Sequence, residues 1–142
     1  MRDFAYGLIG LILLALSGGA NAEQKVTLGD WDVHYMVVNT TFLTPEIAKA
    51  NGIVRSRFNA LVNISVLDAT SKKALDPAVS GSATNLIGTT KQLNFKRVRE
   101  GEAIYYLAVL PYRDLETYRF AIQIQSGNEQ QTLNFSQKLY TE

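Results

Sequence analysis

The chain has 142 residues, with 14 Lys and Arg against 13 Asp and Glu for a net charge of +1, no cysteine and one histidine. Balanced charge argues against a generic binder of nucleic acid or anionic membrane, which needs a basic excess to neutralise phosphate. Missing thiols exclude disulfides, thiolate metal sites and cysteine nucleophiles.

Residues 1–22, MRDFAYGLIGLILLALSGGANA, read as a secretory leader. Arg2 follows the free amino terminus, Leu8–Leu16 is an apolar run, and Ser17, Gly18 and Gly19 break it. A membrane-crossing helix needs about 20 apolar residues, and this run is far shorter. Ala20-Asn21-Ala22 is a small-x-small cleavage site. The expected cut lies between Ala22 and Glu23, leaving residues 23–142 as one exported domain with no further membrane span. Periplasmic delivery, or full secretion, from a Gram-negative cell is the expected destination.

The mature chain is dominated by period-two alternation, the pattern of half-buried strands. Trp31, Val33, Tyr35 and Val37 alternate with Asp32, His34, Met36 and Val38. A short helix is expected next: Thr44 as N-cap, Pro45 and Glu46 in the first turn, Asn51-Gly52 as the stop. At about two turns it should pack on a sheet edge rather than stand alone. Phe58, Ala60, Val62, Ile64 and Val66 form another alternating strand, and QLNFKRV at 92–98 a shorter one with Leu93 and Phe95 inward. Alternation places Arg97 on that same side, where it caps the core or pairs with an acid.

Residues 103–110 are apolar at both parities, which describes a strand buried on both faces or one carrying a contact surface. Tyr118, Phe120, Ile122 and Ile124, then Leu133, Phe135 and Leu139, complete the pattern. Arg99–Glu102 and Ser126–Glu129 read as hairpin loops with Gly at the special position. About seven strands and one helix predict an all-β fold: a single antiparallel β-sandwich, immunoglobulin-like or transthyretin-like, with a small barrel as the alternative.

Signals for catalysis are missing. No G-x-S-x-G elbow, phosphate loop or dinucleotide fingerprint occurs, and the acids sit mainly in turns. His34 and Met36 share one strand face, and nitrogen with soft sulfur suits Cu(I), but they are only two ligands. Arg55 and Arg57 are candidate anion forks, weighed against ordinary surface charge. Tyrosine is rich in contact area; Tyr106 and Tyr118 are read as core, Tyr105 and Tyr112 as contact candidates. The expected partner surface is Tyr105, Leu107 and Val109 with the loop at Tyr112-Arg113.

Several phrases resemble a known family: VNTTFLTPEIA (38–48), RFNALVNISVLDA (57–69), NLIGTTKQLNF (85–95), EGEAIYYLAVL (100–110) and FSQKLYTE (135–142). Together they resemble an uncharacterised family of small exported proteobacterial proteins, domain of unknown function 4426. The resemblance implies an exported Gram-negative domain and carries no activity, ligand or catalytic residue. The expectation from sequence is a non-enzymatic, exported β-sandwich without a cofactor that binds an unidentified envelope or periplasmic protein. The alternative is a small-ligand or copper-binding module.

Overall fold

The computed structural model describes residues 23–141; the segment expected to be a leader, residues 1–22, lies outside them. Nine strands are described: β1 (Gln24–Leu28), β2 (Trp31–Asn39), β3 (Asn59–Asp68), β4 (Ala78–Asn85), β5 (Thr90–Leu93), β6 (Lys96–Glu100), β7 (Ala103–Pro111), β8 (Glu116–Ser126) and β9 (Glu129–Leu139). They form two antiparallel sheets, ordered β1-β2-β3-β7-β6 and β5-β4-β8-β9, packed as a sandwich. The expected sandwich is found.

Alternation sorts the side chains as the physics of a pleated strand demands. Trp31, Val33 and Val37, Val62, Ile64 and Val66, and Tyr106, Ala108 and Leu110 line the inner face of the five-stranded sheet. Tyr118, Phe120, Ile122, Ile124, Leu133 and Leu139 answer them from the other sheet. Phe135 links the two, stacked on Phe120 at 4.7 Å between ring centroids and 4.4 Å from Tyr35. At the β8–β9 hairpin Ser126 pairs with Glu129, and Gly127 takes the φ of +59° that this two-residue loop requires.

Two strands carry weaker signals than the rest. β4 reads AVSGSATN, small and polar, and is defined by pairing on both sides to β5 and β8. The segment 92–98 is not one strand. The chain leaves the four-stranded sheet after Leu93, and β6 joins the five-stranded sheet from Lys96. Arg97 therefore lies opposite Tyr106, and its guanidinium pairs with Asp76 at 3.5 Å.

The helix α1 (Pro45–Ala50) begins as expected, with Thr44 Oγ1 accepting from the Ile47 N–H at 3.2 Å. Its location corrects the expectation. It does not sit on a sheet edge but lies across the outer face of the five-stranded sheet. Ile47, Ala48 and Leu43 form a second apolar cluster there with Met36, Val38, Leu61, Tyr105 and Leu107. A two-turn helix is marginal alone, and burying its apolar side on these residues supplies its stability.

Candidate functional site

The expected partner surface on β7 is largely buried. Tyr105 and Leu107 are each 5% exposed, because α1 and its flanking loop cover that face. Tyr112 is buried in the main core, and burial pushes its hydroxyl above the ordinary tyrosine value. Its hydroxyl accepts from Asn39 Nδ2 at 2.7 Å and donates to the carbonyl of Tyr140. Only Val109 and Arg113 of the expected set remain at the surface. Sequence alone could not separate a doubly buried strand from a contact strand, because both are apolar at every position.

A different surface collects exposed apolar side chains. At one end of the sandwich β2, β4, β7 and β9 finish and β3 and β8 begin. The registers Asn39 with Ala60, Asn59 with Pro111, Asn85 with Tyr118 and Glu116 with Leu139 place these termini together in their sheets. A hydrogen bond then joins the sheets, Lys91 Nζ donating to the Pro111 carbonyl at 2.7 Å, while the Leu115 N–H donates to the Leu139 carbonyl at 2.8 Å and extends the β8–β9 ladder. Six of the eight large hydrophobic residues exposed among the described residues lie here: Phe42, Phe58, Leu86, Ile87, Leu115 and Tyr140. None of the eight lies at the opposite end, in the turns Gly29-Asp30, Ala69–Lys73, Gly101-Glu102 or Gly127-Asn128. Scattered single hydrophobics are ordinary on a surface, but a group at one end marks an interaction site.

Local structure holds several of these side chains outward. Leu86 and Ile87, 75% and 88% exposed, form the tip of the β4–β5 hairpin. Asn85 closes that tip, its Oδ1 accepting from the Thr89 N–H at 2.8 Å. Leu115 has a φ of +66°, a left-handed conformation that a branched side chain rarely adopts. Strain of this kind persists only where the surroundings enforce it, and it concentrates at functional sites. A recess of about 110 Å³ opens at the same end, with Phe42, Gln137 and Tyr140 in its lining.

The charges here are unevenly committed. Arg57 lies over the Phe58 ring at 5.1 Å and Lys138 over the Tyr140 ring at 5.9 Å. The acids are tied into the fold. Asp114 accepts from the Thr141 N–H at 2.9 Å, and Glu116 from Asn85 Nδ2 at 2.8 Å and the Arg113 N–H at 3.0 Å. Burial alone would raise the Glu116 carboxyl, but hydrogen bonds from the Arg113 N–H and the Asn85 side chain outweigh it and hold it below its ordinary value. Tyr118 beneath is pushed up to about 12 by burial and by Glu116. The candidate anion forks divide: Arg55 Nε donates to the Leu43 carbonyl at 2.7 Å and staples the 40–43 turn, whereas Arg57 stays at the surface with Phe58.

The remaining candidates lie on the outer face of the five-stranded sheet. Beyond α1 that face carries a shallow trough of about 600 Å³, with Glu23, His34, Ser65, Lys72 and Arg99 in its lining. His34 Nδ1 is 3.3 Å from the Glu23 carboxylate. Met36 is buried in the apolar cluster under α1, while His34 faces the trough, so the structure gives the two separate surroundings. Among the described residues no group of three or more His, Asp or Glu is placed to hold a metal ion.

The chain belongs to the DUF4426 family, a domain of unknown function, whose model matches residues 25–142. A solved DUF4426 family protein from Pseudomonas aeruginosa PAO1 is 39% identical, covering 83% of this chain and 94% of that one with a TM-score of 0.74. The fold is also shared with FetP from uropathogenic Escherichia coli strain F11. A copper-bound variant of FetP is 9% identical over 82% of this chain and 93% of that one, TM-score 0.60. FetP as isolated is 11% identical over 82% and 91%, TM-score 0.55. No curated protein matches the chain.

Proposed function

We propose that this protein is an exported, non-enzymatic binding module of the cell envelope that engages its partner through the apolar loop end of the sandwich. The observation that supports the reading most directly is the concentration of Phe42, Phe58, Leu86, Ile87, Leu115 and Tyr140 at that end. Burying two largely exposed aliphatic side chains such as Leu86 and Ile87 is worth up to about 1.5–3 kcal/mol each. The leader at residues 1–22 and the lack of any helix among the described residues long and apolar enough to cross a membrane fit an exported domain. Site-specific photo-crosslinking in cells tests the reading. A probe at position 86 should give a discrete adduct, in protein or in lipid, that a probe at position 128 does not. Equal labelling from both positions would overturn it.

The alternative, a small-ligand or copper-binding module, draws on the pairing of His34 with Glu23 at the trough and on a fold shared with FetP. Under this alternative the trough, not Met36, supplies the donors. Copper titration of the wild type beside His34→Ala decides it: stoichiometric binding lost in the variant supports this reading, and equal behaviour sinks it.

A further inference from the structure

We propose that the partner of the loop end is the surface of an anionic phospholipid bilayer, an inference that rests on the loop-end reading and names its occupant. The net charge of +1 conceals a local separation. At this end Arg57, Arg113 and Lys138 are exposed cations, while Glu116 is half-buried with both carboxylate oxygens in hydrogen bonds within the fold and the exposed Asp114 uses one of its two. Among these groups three exposed cations stand against one exposed carboxylate around an apolar centre. A bilayer interface asks for that arrangement: aliphatic groups that enter the acyl boundary, aromatic rings at headgroup depth, and cations beside the phosphates.

Position distinguishes this surface from a protein-docking groove. The aliphatic side chains stand on separate loops, Leu86 and Ile87 on the β4–β5 hairpin and Leu115 on the β7–β8 turn. Phe58 and Tyr140 each pair an aromatic face with a cation, Arg57 and Lys138 respectively. Leu86 and Ile87 are almost wholly exposed at a hairpin tip, and as protein anchors they would need a packed pocket on the partner. A fluid acyl layer accepts protruding tips without a matching pocket. The opposite end presents polar turns, so the domain would stand on the membrane with that end toward the aqueous compartment.

The test is co-sedimentation of the purified exported protein with vesicles of phosphatidylethanolamine and phosphatidylglycerol, beside vesicles of phosphatidylcholine alone. The expected result is binding to the anionic vesicles, weakened by salt and much lower on phosphatidylcholine. Leu86→Ser with Ile87→Ser should reduce the bound fraction at least tenfold with an unchanged melting temperature, since neither side chain packs in the core. Arg57→Gln with Arg113→Gln should lower binding severalfold on anionic vesicles only. Failure of the wild type to sediment, or sedimentation unaffected by the Leu86 and Ile87 changes, overturns the lipid assignment. If the wild type fails to sediment while the position-86 probe still gives a discrete protein adduct in cells, the loop-end reading stands with a protein partner. Loss of both signals refutes both.

Discussion

The side-chain amide of Asn39 donates a 2.7 Å hydrogen bond to the hydroxyl of Tyr112, 73 positions later in the chain. The same hydroxyl donates to the carbonyl of Tyr140, so one buried oxygen joins the end of β2, the turn after β7 and the segment after β9. This is the tie beneath the apolar loop end.

Tyr112→Phe removes that oxygen and leaves the Asn39 amide and the Tyr140 carbonyl without it. Stability should fall by about 1–2 kcal/mol, or roughly 3–6 °C in melting temperature. Amide exchange of residues 139–141 should rise more than that of the β3 core. A uniform change across the protein would show that the tie is not local.

Leu107→Ala should cost about 2–5 kcal/mol, because it opens a cavity between the outer sheet face and α1. Val109→Ala, two positions along the same face but partly exposed, should cost well under half as much. Urea denaturation of the pair measures this. Equal, small effects would return Leu107 to the surface and contradict the helix position.

Asp32 is nearly fully buried, and its carboxylate accepts from Lys72 Nζ at 2.6 Å and Thr27 Oγ1 at 2.9 Å. These bonds, Lys72 first, hold it below its ordinary value of 3.8. A group whose folded value is depressed contributes stability above its unfolded pKa and loses it as pH falls through the folded value. The wild type should therefore be more stable than Asp32→Asn at neutral pH, and the difference should shrink as pH drops below 3.8. Urea midpoints across that range give the answer; a gap independent of pH would mean the pairing contributes nothing through ionisation.

Leu115 holds a φ of +66° with its side chain exposed. Glycine removes a left-handed penalty of about 1–2 kcal/mol and adds about 0.5–1 kcal/mol of unfolded-state entropy. Leu115→Gly should thus melt at the same temperature as the wild type or slightly higher, while losing affinity for whatever the loop end binds. A marked drop in melting temperature would mean the leucine side chain supports the fold itself.

The helix and the hairpin loops were legible because their signals are local. Thr44, Pro45 and Asn51 act within a few residues, and Gly127 acts at one torsion. The alternating strands were legible for the same reason, since a pleat repeats every two residues. β4 was not, because Ala, Ser and Gly carry no strong face, and Gly81 fits so closely that an added Cβ would stand 2.7 Å from the Ala121 carbonyl oxygen. The change of sheet between Leu93 and Lys96 was also hidden, because a strand that switches sheets keeps its alternation.

Composition, period and capping, all properties of neighbouring residues, determined by themselves a β-sandwich and a short capped helix. Which apolar face was covered and which stood open was decided only by tertiary structure. Tyr105 and Leu107 look like a contact strand until α1, from more than fifty residues earlier, is laid across them. Phe42, Phe58, Leu86, Ile87, Leu115 and Tyr140 look like unrelated loop residues until six strand termini are gathered at one end. Burial depends on what the rest of the chain brings alongside, and that information lies in strand pairing over long separations rather than in any local pattern.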